Sequence, residues 1–250
     1  VADSDGYNPQ VVARSHEALL SPRWSPDGSR IAYVSFESGN SAIYIQNILT
    51  GARQLISGRA KGINSAPAWS PDGTKLALSL SYTGNPEIYV MDLASRQETR
   101  LTQSLAINTE PVWAPDGQSI YFTSDRSGRP QIYRVSASGG TPERISFQGQ
   151  QNLNADVSYD GKQIAMVQAN GNVYRIAIMD QSLGGQVRFI STGPIDESPS
   201  FAPNASMLIY AADGNPDVLY AVSDDGMVRQ RLVLANGDVR QPAWGPYRKN

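Results

Sequence analysis

The chain has no cysteine and a single histidine, His16, in 250 residues. Disulfides and thiolate metal sites are therefore excluded, and an ordinary zinc site has too few ligands. A Ser/His/Asp set could be built only around His16, and no Gly-x-Ser-x-Gly elbow accompanies it, so a hydrolase is poorly supported. No apolar run reaches the roughly 18 residues of a membrane-spanning helix, and the N-terminus lacks the charged-then-apolar pattern of a signal peptide. The chain reads as soluble, or as already processed. Lys and Arg number 21 against 23 Asp and Glu, for a net charge of -2. They are scattered, so there is no basic stripe for a phosphate backbone and nucleic acid is not an expected partner. The missing cysteines leave the compartment open, because an oxidising space tolerates a protein with nothing to oxidise.

Aromatic residues are only 8% of the chain, yet all four tryptophans fall on one register. Pro67-Ala68-Trp69-Ser70-Pro71-Asp72-Gly73 recurs around Trp24 and Trp113, and in decayed form around Val157, Phe201 and Trp244. The steps between these six positions are 45, 44, 44, 44 and 43 residues, a period that belongs mostly to β-propeller blades. Each unit reads as four strands. An inner strand ends at the large apolar residue, and Ser-Pro-Asp-Gly makes a tight hairpin in which Gly takes the left-handed position. A buried strand follows, such as Ile31-Ala32-Tyr33-Val34, and then a Gly/Asn/Pro loop. A third strand opens at Ile43, Ile88, Ile132, Ile176 and Tyr220. Asn47, Asp92, Ser136, Asp180 and Asp224 then turn the chain into a fourth strand, whose apolar face comes from Leu55, Leu101, Ile145, Phe189 and Leu232 or Val233.

The expected fold is all-β, a six-bladed β-propeller of four-stranded antiparallel blades, forming one domain over residues 1–250. The sixth blade is shared by the termini: residues 1–15 read as the end of a third strand plus a fourth, and Pro242 to Pro246 as a first. Its second strand is missing, so the closing blade is incomplete and the chain reads as a fragment trimmed at its N-terminus.

The segments just before the inner strands hold one place in each repeat but differ in chemistry: Leu19-Leu20-Ser21, Asn64-Ser65-Ala66, Asn108-Thr109-Glu110, Asn154-Ala155-Asp156, Asp196-Glu197-Ser198 and Arg240-Gln241. In a propeller they would ring one mouth of the central channel, and the loops between second and third strands would add Phe36, Glu37, Tyr82, Asp125 and Arg126 on the same face. A varied ring on a rigid scaffold is how binding sites are built, so these residues are the predicted partner-binding site. The ring's charged members are Glu110, Asp156, Asp196, Glu197 and Arg240, which makes the mouth acidic on one side and suits a partner loop carrying donors or a basic group. No cofactor is expected. Calcium held by Glu110, Asp156 and Glu197 stays open as an alternative. Asp3-Ser4-Asp5-Gly6 is a turn rather than a calcium loop, since Arg14 stands where an EF-hand needs Glu.

The repeat Trp-Ser-Pro-Asp-Gly-x-x-Ile/Leu-Ala, followed by Gly-Asn/Arg-Pro-x-Ile-Tyr, resembles the propeller of the TolB family, the periplasmic component of the bacterial Tol-Pal envelope system. The resemblance covers the whole chain and includes Asp3-Ser4-Asp5-Gly6-Tyr7-Asn8, Asn108-Thr109-Glu110-Pro111, Asp125 to Tyr133 and Asp196-Glu197-Ser198-Pro199-Ser200. It implies a non-enzymatic, monomeric periplasmic propeller. Such a propeller binds the peptidoglycan-associated lipoprotein Pal at one channel mouth and supports outer-membrane integrity and constriction at division. It also implies contact with other envelope proteins and colicin-type toxins, and a smaller upstream α/β domain, absent here, involved with TolA. Ala66, Thr109 and Glu110 match the family's positions on the Pal-facing mouth. The chain departs from the pattern at Tyr159, where Pro is usual, and at Asn204-Ala205, where Asp-Gly is usual; two weakened turns are expected there. Propellers similar to this one also precede prolyl oligopeptidases, so an accessory propeller gating a peptidase is the alternative. A sugar-binding or lyase propeller is disfavoured, because the expected mouth lacks a band of exposed aromatics.

Overall fold

The computed structural model describes residues 1–58, 61–232 and 239–247. It contains five four-stranded antiparallel sheets, each built from four consecutive strands. The first comprises β1 (Leu19–Trp24), β2 (Arg30–Ser35), β3 (Ala42–Asn47) and β4 (Arg53–Ser57). The second holds β5 (Asn64–Trp69), β6 (Lys75–Leu80), β7 (Glu87–Asp92) and β8 (Glu98–Arg100), and the third β9 (Asn108–Trp113), β10 (Ser119–Ser124), β11 (Gln131–Ser136) and β12 (Glu143–Arg144). The fourth has β13 (Gln151–Val157), β14 (Gln163–Asn170), β15 (Val173–Asp180) and β16 (Gln186–Phe189), and the fifth β17 (Asp196–Phe201), β18 (Met207–Ala212), β19 (Val218–Ser223) and β20 (Arg229–Leu232). The chain packs as two compact units. One is Ser15–Phe147 with the segment from Gly245, and carries the first three sheets; the other is Val1–Arg14 with Gln148–Trp244, and carries the remaining two.

Five sheets, not the expected six, are present among the described residues, and this corrects the sequence reading. Residues 1–15 form no strand. They close on themselves, Val1 N donating to Gln10 O at 2.7 Å and Asp3 N to Tyr7 O at 2.9 Å. Residues 239–247 form no strand either. The reason is the ladder: an inner strand and a third strand both pair with the second, and without it neither has a partner for its N–H and C=O groups. The terminal repeat nevertheless keeps a packing role in the first unit. A Cβ on Gly73 would stand 3.6 Å from Pro26, and one on Gly28 would stand 3.4 Å from Pro246. Pro246 thus covers the first sheet's turn as Pro26 covers the second's, and Gly245 lies close against the Trp24 ring.

Second strands are apolar on both faces, as in β6, where Leu76, Leu78 and Leu80 on one face and Ala77 on the other have no exposure. Each face must be covered by another sheet, and the inner-strand aromatic does the covering. In the first unit β5 packs on β1, β2 and β3, and β9 on β5, β6 and β7. Trp69 is buried with Ala32, Val34, Ile43 and Ile45 of the sheet before it, and its Nε1 donates to Arg23 O at 3.1 Å. Trp113 repeats this against Ala68, Ile88 and Val90, its Nε1 donating to Ala68 O at 3.1 Å. In the second unit β17 packs on β13, β14 and β15, and Phe201 fills the tryptophan's place against Val167, Ile176 and Ile178.

Ser-Pro-Asp-Gly forms the expected hairpin. Gly28, Gly73, Gly117 and Gly161 have φ of 70°, 69°, 70° and 73°, which glycine adopts without cost. In the fifth sheet the same place is held by Ala205 at 59°. The turn carboxylate is held by its own serine: Ser25 Oγ donates to Asp27 Oδ1 at 2.5 Å, and Ser29 N adds a bond at 3.1 Å. The Ser25 hydroxyl above all lowers the Asp27 pKa to about 2. Ser70 and Ser158 in the same way depress Asp72 and Asp160.

Four positions need correction. The buried residues are Ile56 in β4 and Ile190 just after β16, at 7% and 5% exposure, while Leu55 and Phe189 are about half exposed. A one-residue slip in a strand exchanges its two faces. Ser223, not Asp224, occupies the turn position of Asp92, since Met207 pairs Ser223 as Lys75 pairs Asp92. The loop before β19 is one residue shorter than those before β3, β7 and β11, and the third-strand residue expected at Tyr220 falls at Leu219 for the same reason. Val233 lies outside the described residues.

Ala205→Gly relieves the left-handed strain and is expected to raise the unfolding free energy by about 1 kcal/mol, measured by urea denaturation. The depressed carboxylates contribute stability that is complete above their ordinary value of 3.8 and is lost as pH falls, for Asp27 through about 2. The urea midpoint is therefore expected to drop between about pH 4 and about pH 2, and Ser25→Ala to make that drop shallower.

Candidate functional site

Five of the six segments that sequence placed before the inner strands lie within them, and Arg240-Gln241 lies in no strand. Residues 64–66 open β5, 108–110 open β9 and 196–198 open β17. In all five sheets the pairing of the first two strands breaks register just after this point: between Leu20 and Arg23, Ser65 and Ala68, Thr109 and Val112, Leu153 and Asp156, and Glu197 and Ser200. At every break a non-glycine residue sits in the left-handed region: Ser21 at 52°, Ala66 at 49°, Glu110 at 53°, Asn154 at 52° and Ser198 at 56°. Gln241, on the same register, has 50°. Such a conformation costs about 1–2 kcal/mol and persists only where the surroundings over-determine it. A bulge of this kind bends the strand and re-aims the side chains beside it.

The loops after the second strands lie at the same end of each sheet. Asp125 Oδ1 accepts from Ile107 N at 2.8 Å, Ser81 N donates to Ile63 O at 3.0 Å, Phe36 N to Ala18 O at 3.2 Å, and Asp213 N to Ile195 O at 2.8 Å. This end therefore gathers, in the first unit, Leu20, Ser21, Glu37, Ser65, Ala66, Tyr82, Thr109, Glu110, Asp125 and Arg126. Leu20 is 39% exposed. Glu37 pairs with Arg53 at 2.7 Å. Tyr82 lies 5.3 Å from the Tyr89 ring and donates to Glu98 at 3.0 Å; burial raises its pKa. Glu110 accepts from the Thr123 hydroxyl at 2.7 Å.

Other predicted residues serve the fold. Asn64 is buried, donates through Nδ2 to Ser41 O at 2.9 Å and accepts from Ser57 at 2.7 Å. Asn108, also buried, donates to Glu87 Oε2 at 2.8 Å and accepts from Arg126 Nη2 at 2.7 Å. In the second unit the matching residue is Asn152, not Asn154. It accepts from Gln168 at 3.0 Å and donates to Gln148 O at 2.8 Å. Sequence placed this segment two residues late, so Ala155 is buried and Asp156 Oδ2 accepts from Phe201 N at 2.7 Å, joining two sheets. Asp196 takes the asparagine position in the fifth sheet, buried, with Oδ2 accepting from Gly193 N at 2.8 Å. Ser198 is buried and Glu197 exposed. Among the described residues, no three His, Asp or Glu side chains gather as ligands for a metal.

Sequence reasoning missed Glu87, the centre of this end of the second and third sheets. It has no exposure, yet it accepts from Arg100 Nη2 at 3.1 Å, Ser104 N at 2.6 Å, Asn108 Nδ2 and the Thr102 hydroxyl. The available signal was a charged residue opening an otherwise apolar third strand, with a hydroxyl residue fifteen places on, a pairing that Gln131 and Ser146 repeat in the third sheet. Next to Asn108, Arg126 is stacked over Phe122 and Tyr133, its guanidinium carbon 5.3 and 4.7 Å from the ring centres, and burial lowers its pKa.

Residues 1–248 match the family described as the TolB beta propeller domain. The chain is also 68% identical, over 99% of its length, to the Tol-Pal system protein TolB of Xanthomonas oryzae pv. oryzae (strain PXO99A). The chain belongs to the TolB β-propeller family. It spans 57% of that relative's length. A crystal structure of TolB from Acinetobacter baumannii is 46% identical and superposes with a TM-score of 0.92, covering 98% of this chain and 62% of that one. A prolyl endopeptidase structure, 14% identical with a TM-score of 0.60 over 84% of this chain and 34% of that one, shares the fold alone.

Glu87→Ala strands the Arg100 charge and the Thr102 and Asn108 donors, and is expected to lower the unfolding free energy by about 3 kcal/mol. Glu87→Gln keeps part of the network and is expected to cost less, both read by urea denaturation.

Proposed function

We propose that this chain is a non-enzymatic binding domain of the periplasm, which holds the peptidoglycan-associated lipoprotein Pal at the end of its sheets where the inner strands are bulged. Through that contact it contributes to outer-membrane integrity and to envelope constriction at division. The observation that carries the reading is the 68% identity, along nearly the whole chain, to a protein named for the Tol-Pal system. The geometry supports it: half-buried Ala66, Thr109 and Glu110 stand on strands rather than on loose loops, so a partner meets groups already held in place. The relatives carry the name of an envelope-system component, and the peptidase likeness extends only to fold. TolA and colicin-type toxins are partners of the longer protein under the same reading.

Calorimetry with the purified soluble domain of the lipoprotein tests this. Thr109→Ala and Glu110→Ala are expected to weaken binding by about tenfold or more with unchanged thermal unfolding. Wild-type affinity in both variants would move the site elsewhere.

A further inference from the structure

Three arginines lie over aromatic pairs at one place in the first, third and fifth sheets: Arg53 over Tyr33 and Tyr44, Arg126 over Phe122 and Tyr133, Arg229 over Tyr210 and Tyr220. Arg53 is answered by Glu37, and Arg229 is exposed and bonded to Thr192 at 3.3 Å. Arg126 differs from both. It is half-buried, it comes from the loop between β10 and β11, and among the described residues no carboxylate lies within ion-pair distance of it. Nε donates to Ser124 at 2.9 Å and Nη2 to Asn108 at 2.7 Å, which leaves Nη1 without a hydrogen bond among the described residues.

The nearby acids are already used. Glu87 is saturated by Arg100, Thr102, Ser104 and Asn108. Asp125 spends Oδ1 on Ile107 N, and Glu110 accepts from Thr123. A partly desolvated cation with no carboxylate directly paired to it is costly until one arrives, and this one is locked by two rings and two hydrogen bonds, so its binding loses little rotamer freedom.

We infer that Arg126 is a preset contact for one carboxylate of the bound partner, received on its free Nη1 edge. One fixed guanidinium with a single open edge suits a single acidic side chain rather than a polyanion. The inference rests on the reading that this end of the sheets is the partner's seat.

Binding of the lipoprotein's soluble domain is measured by calorimetry at two salt concentrations for the wild type, Arg126→Gln and Arg126→Lys, with circular dichroism to confirm folding. Arg126→Gln is expected to weaken binding at least about tenfold and to flatten the salt dependence. Arg126→Lys, which keeps the charge but not the fixed fork, falls between. Neutralising the partner's carboxylates singly should identify one whose loss has no further effect in Arg126→Gln. Wild-type affinity in Arg126→Gln overturns the inference and leaves the site reading standing, whereas a wild-type chain that does not bind the lipoprotein overturns that reading. In the latter case side-chain NMR decides the inference. The Arg126 Nε–H signal, assigned by its loss in Arg126→Lys, is expected to shift with N-acetylaspartate amide and not with N-acetylasparagine amide; a signal unmoved by both overturns it.

Discussion

A four-stranded sheet that is apolar on both faces cannot stand alone in water, and the rest of this structure follows from that. Leu76, Leu78 and Leu80 on one face of the second sheet and Ala77 on the other, and Ile164 and Met166 opposite Ala165 in the fourth, are all buried. Each face therefore needs a neighbour, and the repeat supplies one every 44 residues or so. Burying a side chain the size of Leu is worth about 1.5–3 kcal/mol, so coverage by the Trp69, Trp113 and Phe201 strands outweighs the strain that those same strands carry.

That strain is concentrated where the inner strand begins. A left-handed residue recurs at Ser21, Ala66, Glu110, Asn154 and Ser198, although none is glycine. The bulge is kept by the paired backbone on either side and, in the second, third and fourth sheets, by buried Asn64, Asn108 and Asn152, whose amides tie down neighbouring chain. The left-handed backbone is thus the constant part, joined by asparagine in those three sheets. The side chains between them, free of packing duties, vary from Leu20 to Thr109 to Glu197, and a binding surface can be written in those positions without disturbing the fold.

The Glu87 cluster shows the same division inside one site. A buried carboxylate is tolerable only when its lone pairs are filled, and Glu87 meets that with four donors. One of them, Asn108, turns its other face to Arg126. The rigidity of an internal network is in this way passed to a group at the surface, with no mobile segment between.

Strands, hairpins and the stacking of the tryptophans were legible in the sequence, because period, Gly at left-handed turns and β-branched runs are local signals. Where a local signal decayed, the reading slipped. Val157 lacks a tryptophan's mark, and Asn154 was taken for Asn152. The shorter loop before β19 moved Asp224 off its turn. The half-repeats at the two ends look like blade segments by pattern alone, yet form no sheet, because pairing requires a strand that the pattern does not contain. The predicted site residues share one end of each sheet, and their side chains divide between packing and exposure. Asn64, Asn108 and Asp156 differ from Thr109 and Arg126 only in where their side chains point, and that depends on contacts between sheets far apart in the chain. The sequence by itself therefore determined the blade and its repetition. The tertiary structure decided how many sheets form among the described residues, which polar groups are consumed in joining them, and that the Arg126 edge is not among those consumed, since each of these is a balance of hydrogen bonds between residues that the sequence does not place side by side.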